Sequence, residues 1–242
     1  MLTIGYIGNG KSANRYHIPY VLTRDNMKIK TIYDLRVSHD VWKEVEGVNY
    51  TENIDDLLND SEIDLIVICT TPKTHYELAK KVLNAGKNVM VEKPFMPTYE
   101  QAKEIFDLAK SKNLFVQTYQ NRRYDSDFLT VQKVIESGKL GEVFEIVLTF
   151  DYWRPEVPLN STRVPYYDTL YYGHVVHTMD QIISYFGKPD KVKYELKHLC
   201  GEDKMNDYYD IDMYYGNLKI TLKSSYFMKH KRASFCVYGK KG

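Results

Sequence analysis

Apolar runs of strand length alternate with polar and helical stretches in the first half of the chain. The runs fall at residues 4–7, 29–33, 48–51, 65–69, 88–91 and 114–118. Between the later runs, apolar residues recur with helical periodicity over residues 75–85 and 98–109. Because residues 65–69 are continuously apolar, as in a strand buried on both faces, the order of elements predicts a doubly wound parallel sheet.

Helix-end signals accompany these periodic segments. Thr74 is predicted to cap a helix that starts near His75, and Gly86 is predicted to end it. Thr98 and Gln101 have the spacing of a capping box, which predicts the start of the next helix.

The pattern changes after residue 120 and predicts a second domain. Helices are expected over residues 126–137 and 174–186, and strand-like runs lie at residues 143–150, 191–198, 213–215, 218–222 and 235–238. Partial alternation in these runs predicts an open, mixed or largely antiparallel sheet with helices on one face. We therefore predict an α/β protein with an N-terminal domain over residues 1–120 and a C-terminal α/β domain over residues 121–242.

A glycine-rich turn, Gly8-x-Gly10-x-x-Ala13, joins the first strand to a helix. Gly8 can take turn dihedral angles that a Cβ would block. Gly10 lets a pyrophosphate approach the backbone closely, and Ala13 lets the helix lie against the strand. The first N–H groups of the helix have no internal partners, so they suit an anion. The turn alone also fits a small-residue connection before any helix.

Asp34 ends the second run, about 20 residues after Ala13, where a dinucleotide fold places a ribose-binding carboxylate. A carboxylate at this point accepts hydrogen bonds from the adenosine ribose and repels a 2′-phosphate. Arg36 is a nearby cation that a 2′-phosphate would attract. We therefore predict NAD or NADP as the cofactor and favour NAD.

Composition excludes several classes of partner. The 242 residues carry 33 Lys and Arg against 32 Asp and Glu, so a nucleic-acid or acidic-membrane surface is not indicated. No apolar run approaches the roughly 18 residues that span a bilayer. The three cysteines are far apart and form no metal-binding pattern. Since Met1-Leu2 lead directly into the first strand, we expect no targeting segment. We expect a cytoplasmic protein without a metal site.

Two polar segments follow predicted strands at the edge of the sheet where ligands bind. Thr70-Thr71-Pro72 with His75 follows one strand, and Glu92-Lys93-Pro94 follows the next. Proline restricts the lysine backbone before it, and a desolvated lysine can exchange a proton with a substrate oxygen. The alternatives are a histidine that merely starts a helix and a surface lysine in a turn.

In the second domain, His177 and Asp180 share one face of a predicted helix. Histidine suits proton transfer near neutral pH, and a nearby acid orients it. His174 fits the same pattern, and a pair with structural hydrogen bonds is the alternative. The polar segments at Asn121 and at Trp153-Arg154 are either the lining of a cleft or ordinary connectors.

In this order the motifs resemble the Gfo/Idh/MocA family of nicotinamide-dependent sugar and inositol oxidoreductases. The resemblance covers nearly the whole chain, and residues 10–17 and 119–123 are most similar to the branch that includes scyllo-inositol dehydrogenases. The matching residues are Gly8-x-Gly10-x-x-Ala13, Asp34, Thr71-Pro72-x-x-His75, Glu92-Lys93-Pro94, residues 137–142 and His177-x-x-Asp180.

The resemblance implies a Rossmann domain, a second domain whose open sheet forms homo-oligomer contacts, and a cis peptide bond at Lys93–Pro94. It implies hydride transfer between the nicotinamide and a carbon of a small sugar or polyol. The implied catalytic residues are Lys93, His177 and Asp180, and the implied substrate contacts are Lys93, Asn121, Tyr152, Arg154 and His177. The implied cofactor contacts are Gly8, Asn9, Gly10, Lys11, Ser12, Ala13, Asp34, Thr70, Thr71, Pro72, His75, Glu92, Lys93 and Asn121.

The chain departs from the family pattern at two points. Many members have an acid four residues before the histidine, where this chain has Gly173. Members usually continue well beyond the equivalent of residues 239–242, so we expect an incomplete second sheet whose exposed edges favour self-association.

These departures keep two other functions open. A catalytically silent NAD(P)-binding sensor of the same fold would explain the missing acid. An adenosylmethionine site shares the turn chemistry of the glycine loop, but it leaves Glu92-Lys93-Pro94 unexplained.

Overall fold

The computed structural model describes residues 1–35, 41–162 and 169–242. They form two compact units, Met1–Tyr119 and Gln120–Gly242. The first unit contains strands β1 (Leu2–Ile7), β2 (Met27–Tyr33), β3 (Asn49–Thr51), β4 (Leu65–Ile68), β5 (Asn88–Val91) and β6 (Val116–Thr118). Its helices are a π-helical segment Ala13–His17, α1 (Ile18–Val21), α2 (Asp55–Leu58), α3 (Pro72–Asn84) and α4 (Tyr99–Ser111).

The six strands pair in parallel in the order β3-β2-β1-β4-β5-β6, which confirms the predicted doubly wound sheet. All four residues of β4 are buried. Ile66 and Ile68 pack into the core formed with α2, α3 and α4, whereas Leu65 and Val67 pack into the core that contains Ile18 of α1. Burial on both faces explains why this strand is continuously apolar. The strand order reverses between β1 and β4, and ligands bind at such a point.

The predicted helix ends are partly confirmed. The Thr98 hydroxyl accepts a hydrogen bond of 3.2 Å from the Gln101 N–H at the start of α4, and Gly86 follows α3 with a φ of +75°. The predicted start of α3 is wrong, because Thr71 is the N-cap and Pro72 is the first residue. A proline suits that position, since its fixed φ fits the helix and its missing N–H would have no partner there.

The second unit contains strands β7 (Val143–Thr149), β8 (Lys191–Lys197), β9 (Tyr208–Tyr215), β10 (Leu218–Ser225) and β11 (Phe235–Gly239). Its helices are a 3₁₀ turn Asn121–Tyr124, α5 (Ser126–Glu136), α6 (Glu156–Leu159), a π-helical segment Tyr171–Val175 and α7 (Val176–Phe186). The sheet order is β11-β7-β10-β9-β8, with β7 and β10 parallel and the other pairs antiparallel. The predicted mixed sheet is confirmed.

One face of this sheet is apolar and the other is polar. Ile182 of α7 belongs to the same buried core as Ile211 and Ile220 of the sheet. On the opposite face, Lys219 reaches Asp212 diagonally at 3.1 Å, and Lys223 lies 2.7 Å from Asp210 directly across the two strands. This polar alternation explains why β9 begins at Tyr208, before the predicted start at residue 213.

The last strand passes close to the turn between α5 and β7. A Cβ at Gly239 would overlap the carbonyl oxygen of Leu140. The N–H of Lys241 donates to that same oxygen at 2.9 Å. Only a residue without a side chain fits between these two backbone segments.

Among the described residues, no helix is both long and apolar enough to span a membrane. The described residues also contain no group of three or more His, Cys, Asp or Glu side chains suited to hold a metal ion.

Candidate dinucleotide and catalytic site

The glycine loop follows β1 directly and packs against the loop after β4. Gly8 is buried and has a φ of +103°, and a Cβ there would lie 2.8 Å from the carbonyl oxygen of Cys69. Gly10 is exposed, and nothing lies within 4 Å of the position of its missing Cβ. The first glycine is therefore required by the fold, whereas the second leaves open space beside the backbone.

Two polar side chains hold this loop in place. The N–H of Asn9 donates to the Asp34 carboxylate at 2.7 Å, which brings the end of β2 against the glycine loop. The side-chain amide of Asn14 donates to Asn9 Oδ1 at 2.9 Å and to the Gly10 carbonyl at 3.1 Å. Sequence reasoning identified Asp34 but missed Asn14, since an asparagine in the first helix carries no distinctive signal.

The remaining residues of the predicted phosphate-binding turn occupy the start of the first helix. Lys11 is exposed, Ser12 is half-buried and Ala13 is fully buried. Ala13 packs in the same core as Tyr6 of β1, which is the close helix–strand contact that a small residue permits. The Lys11 side chain therefore faces solvent at the same end of the helix as Gly10.

The loop after β4 is held by a buried histidine. The ring of His75 is fully buried, with Nδ1 at 3.0 Å from the Pro94 carbonyl oxygen and Nε2 at 3.2 Å from that of Thr70. Burial lowers the pKa of His75 although the carbonyl oxygens favour its charged form, so the ring is neutral at pH 7. This geometry favours the structural interpretation of His75, which ties together the loops that carry Thr70 and Lys93.

The hydroxyl of Thr70 lies 2.7 Å from that of Thr74, and Thr71 and Pro72 begin α3. These residues line the same carboxyl edge of the sheet as the glycine loop, because β1 and β4 are parallel neighbours.

Glu92 connects the loop that carries Lys93 to the helical segment that follows the glycine loop. Its Oε1 accepts a hydrogen bond from the Ser12 hydroxyl and lies 2.9 Å from Nε2 of His17, and its Oε2 accepts from the Lys93 N–H at 2.9 Å. Burial raises the pKa of this carboxyl, but the bonds from His17 and Ser12 outweigh it, and the net pKa is lowered. Glu92 is therefore ionised at neutral pH and fixes the backbone of Lys93.

Lys93 itself is half-buried, and its peptide bond to Pro94 is cis, as predicted. The lysine side chain thus starts from a backbone that Glu92 and His75 hold on both sides.

His17 lies at the end of the π-helical segment, and Tyr119 covers its ring. The two ring centroids are 3.8 Å apart, and the Tyr119 hydroxyl donates to the Tyr16 carbonyl at 2.5 Å. Burial raises the pKa of Tyr119 to about 12, so its hydroxyl remains a donor. Sequence reasoning did not assign a role to His17 or Tyr119, because their partners lie far away along the chain.

The residues at this edge fit a dinucleotide. The glycine loop presents free space at Gly10 and the N-terminal N–H groups of the first helix, which together suit a diphosphate. Asp34 lies at the end of β2, where its carboxylate can accept a hydrogen bond from a ribose hydroxyl. Arg36 lies outside the described residues.

The other predicted residues belong to the second unit. His177 is buried on α7, and Asn121 begins the 3₁₀ turn. The carboxylate of Asp180 binds Arg123 through both oxygens, at 2.6 Å from Nε and 2.7 Å from Nη2. This ion pair joins the 3₁₀ turn to α7, so Asp180 has a structural partner that sequence reasoning did not identify.

Tyr152 and Arg154 follow the end of β7. The guanidinium of Arg154 lies 4.9 Å over the ring of Tyr152, whose centroid is 4.8 Å from that of His174. The π-helical segment Tyr171–Val175 places His174 there, one helical turn before His177.

Comparison with known proteins agrees with this geometry. Residues 2–120 match the family model described as the oxidoreductase family, NAD-binding Rossmann fold, and residues 128–242 match the Gfo/Idh/MocA C-terminal domain. The uncharacterized oxidoreductase YhhX of Escherichia coli K12 is 46% identical over 244 residues, which cover 100% of this chain and 70% of YhhX. A crystal structure of an oxidoreductase from Bacillus cereus has a TM-score of 0.94 and 45% identity, and the match covers 99% of this chain and 69% of that one.

A more distant relative is named for a specific activity. The scyllo-inositol 2-dehydrogenase (NADP(+)) IolW of Bacillus subtilis 168 is 27% identical over 240 residues, which cover 99% of this chain and 67% of IolW.

Proposed function

Because the chain belongs to the Gfo/Idh/MocA family of NAD-binding oxidoreductases, we propose that it transfers hydride between a nicotinamide and the hydroxyl-bearing carbon of a small sugar or polyol. The observation that carries this proposal is the anchoring of Lys93. Glu92 binds the Lys93 backbone and the side chains of Ser12 and His17 at once, so the start of the lysine side chain is fixed against the segment that follows the glycine loop. The adenosylmethionine alternative offers no role for this arrangement.

In the proposed mechanism the chain positions two reactants and moves a proton. When bound, the dinucleotide supplies the hydride acceptor or donor. The backbone N–H groups after Gly10 would hold the diphosphate of the dinucleotide, and the Asp34 carboxylate would accept a hydrogen bond from the adenosine ribose. Lys93 contacts the substrate hydroxyl and exchanges its proton, and His177 shares in that proton transfer.

The choice between NAD and NADP follows from Asp34. Its carboxylate is fixed by Asn9 at the ribose position and would repel a 2′-phosphate, which favours NAD. IolW is named for NADP(+), so both nucleotides belong in the test.

The test is a screen that follows reduction of NAD⁺ and NADP⁺ with inositols and aldoses. We expect Lys93→Met to abolish turnover and to leave NADH binding within about twofold, since the lysine is placed at the reacting centre. Lys110→Met removes an exposed lysine from α4 and serves as the matched control. Full turnover in Lys93→Met would exclude the catalytic assignment.

A catalytically silent cofactor sensor is the second candidate. Position 173, where many family members have an acid, is a glycine, and nothing lies within 4 Å of the position of its missing Cβ. This candidate predicts NADH binding without oxidation of any polyol in the screen.

We also propose a cytoplasmic homo-oligomer that forms through the sheet of the second unit. The support is the edge strand β8, which is exposed over all of its residues but the last, and three cysteines that form no disulfide. Light scattering after size-exclusion chromatography measures the oligomeric state.

A further inference from the structure

An aromatic cluster lies where β7 and β10 end. We use this name for Phe150, Tyr152, His174 and Tyr226. Because β7 and β10 are parallel neighbours, the residues that follow them meet at one edge of the sheet. Ring centroids are 4.8 Å apart for Tyr152 and His174 and 5.7 Å apart for Tyr152 and Tyr226. The cluster offers flat apolar faces and polar ring edges, which are typical of ligand pockets.

Cations border this cluster. The guanidinium of Arg154 lies 4.9 Å from the Tyr152 ring centroid. The backbone N–H of Arg154 donates to the backbone carbonyl of Tyr226 at 2.9 Å. Burial raises the pKa of Tyr226, whereas the charge of Arg154 opposes that rise, so this guanidinium also acts on the Tyr226 hydroxyl. On another side, Arg122 lies 4.7 Å from the Phe150 ring centroid.

The basic run 229–232 continues the positive surface. The N–H of Met228 donates to the Tyr152 carbonyl at 2.9 Å, which holds the start of this run beside the cluster. Lys229 lies 6.0 Å from the ring of Trp153, and residues 229–231 are exposed.

The carboxylates of the same segments are occupied by other arginines. Asp151 is almost fully buried and binds Arg232 at 2.7 Å, and Asp125 binds Arg122 at 2.8 Å. In residues 1–35, 41–162 and 169–242, no carboxylate forms an ion pair with Arg154. The guanidinium of Arg154 is therefore a positive charge beside the cluster that no described carboxylate neutralises.

We propose that the aromatic cluster and Arg154 select a sugar or polyol that carries an anionic group, either a carboxylate or a phosphate. The carbon skeleton packs on Tyr152, and the anion binds the guanidinium of Arg154 through charge-assisted hydrogen bonds. This inference rests on the proposed function, because it names the substrate class of the same enzyme. A hydroxyl of a neutral polyol accepts an ordinary hydrogen bond from Arg154, whereas the anionic group of an acid with the same skeleton forms a stronger, charge-assisted one.

The test compares matched substrates on the intact 242-residue chain. Glucose is compared with glucuronate and glucose 6-phosphate, and galactose with galacturonate, by NAD⁺ and NADP⁺ reduction and by calorimetric titration of the NADH-loaded protein. We expect at least one acid to exceed its neutral partner tenfold or more in kcat/KM. Raising the salt concentration weakens binding of that acid and not of the neutral sugar. The uronates and the phosphate ester distinguish the two anions.

Variants assign the effect to Arg154. We expect Arg154→Gln to raise KM or Kd for the acid about tenfold to hundredfold, as for a lost charge-assisted bond, and Arg154→Lys to restore part of it. Arg24→Gln removes an exposed arginine of the first unit and serves as the control.

The outcomes separate the two proposals. Binding of an acid that depends on Arg154, without oxidation of any compound, supports this inference and contradicts hydride transfer to sugars. Oxidation of neutral sugars with no preference for any acid overturns the inference and leaves the proposed function intact. The inference is also overturned if no acid binds, or if Arg154→Gln leaves the preference for the acid unchanged.

Discussion

Replacing Gly8 by alanine is expected to destabilise the first unit rather than only to weaken cofactor binding. Gly8 has a φ of +103°, and a Cβ there would lie 2.8 Å from the Cys69 carbonyl oxygen and 3.2 Å from Cγ2 of Thr70. Holding a non-glycine residue at such angles costs about 1–3 kcal/mol. Displacing the buried backbone of Cys69 adds an overpacking cost of about 1–3 kcal/mol.

The combined loss of about 2–6 kcal/mol corresponds to a large thermal shift. At about 4 °C per kcal/mol for a unit of this size, the melting temperature of the first unit falls by about 8 °C or more. The assay is thermal unfolding followed by circular dichroism, with NADH binding measured by fluorescence titration at a temperature where the variant is folded.

Gly10→Ala is the matched control within the same loop. Nothing lies within 4 Å of the position of its missing Cβ, so the unfolding free energy should change by less than about 0.5 kcal/mol. NADH binding should weaken at least tenfold, because the methyl group occupies the space through which the diphosphate approaches. A Gly8→Ala protein that melts within 2 °C of the unaltered chain, roughly 0.5 kcal/mol, would refute the argument.

Two further predictions concern charged groups. The pKa of Glu92 is lowered in the folded state. Its contribution to stability is therefore complete above the ordinary glutamate pKa of about 4.3 and is lost as the pH falls through the lower folded-state value. Glu92→Gln should flatten the dependence of the unfolding free energy on pH between pH 5 and pH 3, whereas Glu100→Gln, at an exposed position, should not. Asp180→Asn and Arg123→Gln break the same bidentate ion pair, in which the Asp180 side chain is 15% exposed and that of Arg123 44%, so urea unfolding should show a similar loss of about 1–3 kcal/mol for each. A much larger loss of turnover in Asp180→Asn supports its catalytic role, and equal turnover in the two variants contradicts it.

Local signals predicted the sheet and the placement of its loops well. A strand that is buried on both faces has to be apolar throughout, and β4 shows this in its sequence. A turn with positive φ and a close backbone neighbour favours glycine, and Gly8 is in that position. Such requirements act on neighbouring residues, so a single sequence displays them.

The partners of polar side chains were much harder to predict. His17 and Glu92 form one buried contact although they lie in different strand–helix units. Asp180 fits the face of a helix, but nothing in its neighbourhood indicates that Arg123 occupies it. The buried ring of His75 shows the same difficulty, since its position was predicted and its backbone partners were not. These pairings follow from the three-dimensional approach of distant segments, which periodicity does not encode.

The close crossing at Gly239 limits which substitutions evolution can accept. Because a Cβ there would collide with the Leu140 oxygen, even alanine would force the two backbones apart. Orthologues that keep this crossing should therefore be invariant at this position, although it contacts no proposed ligand. A natural sequence with a bulky residue there is expected to show a compensating insertion or deletion near Leu140.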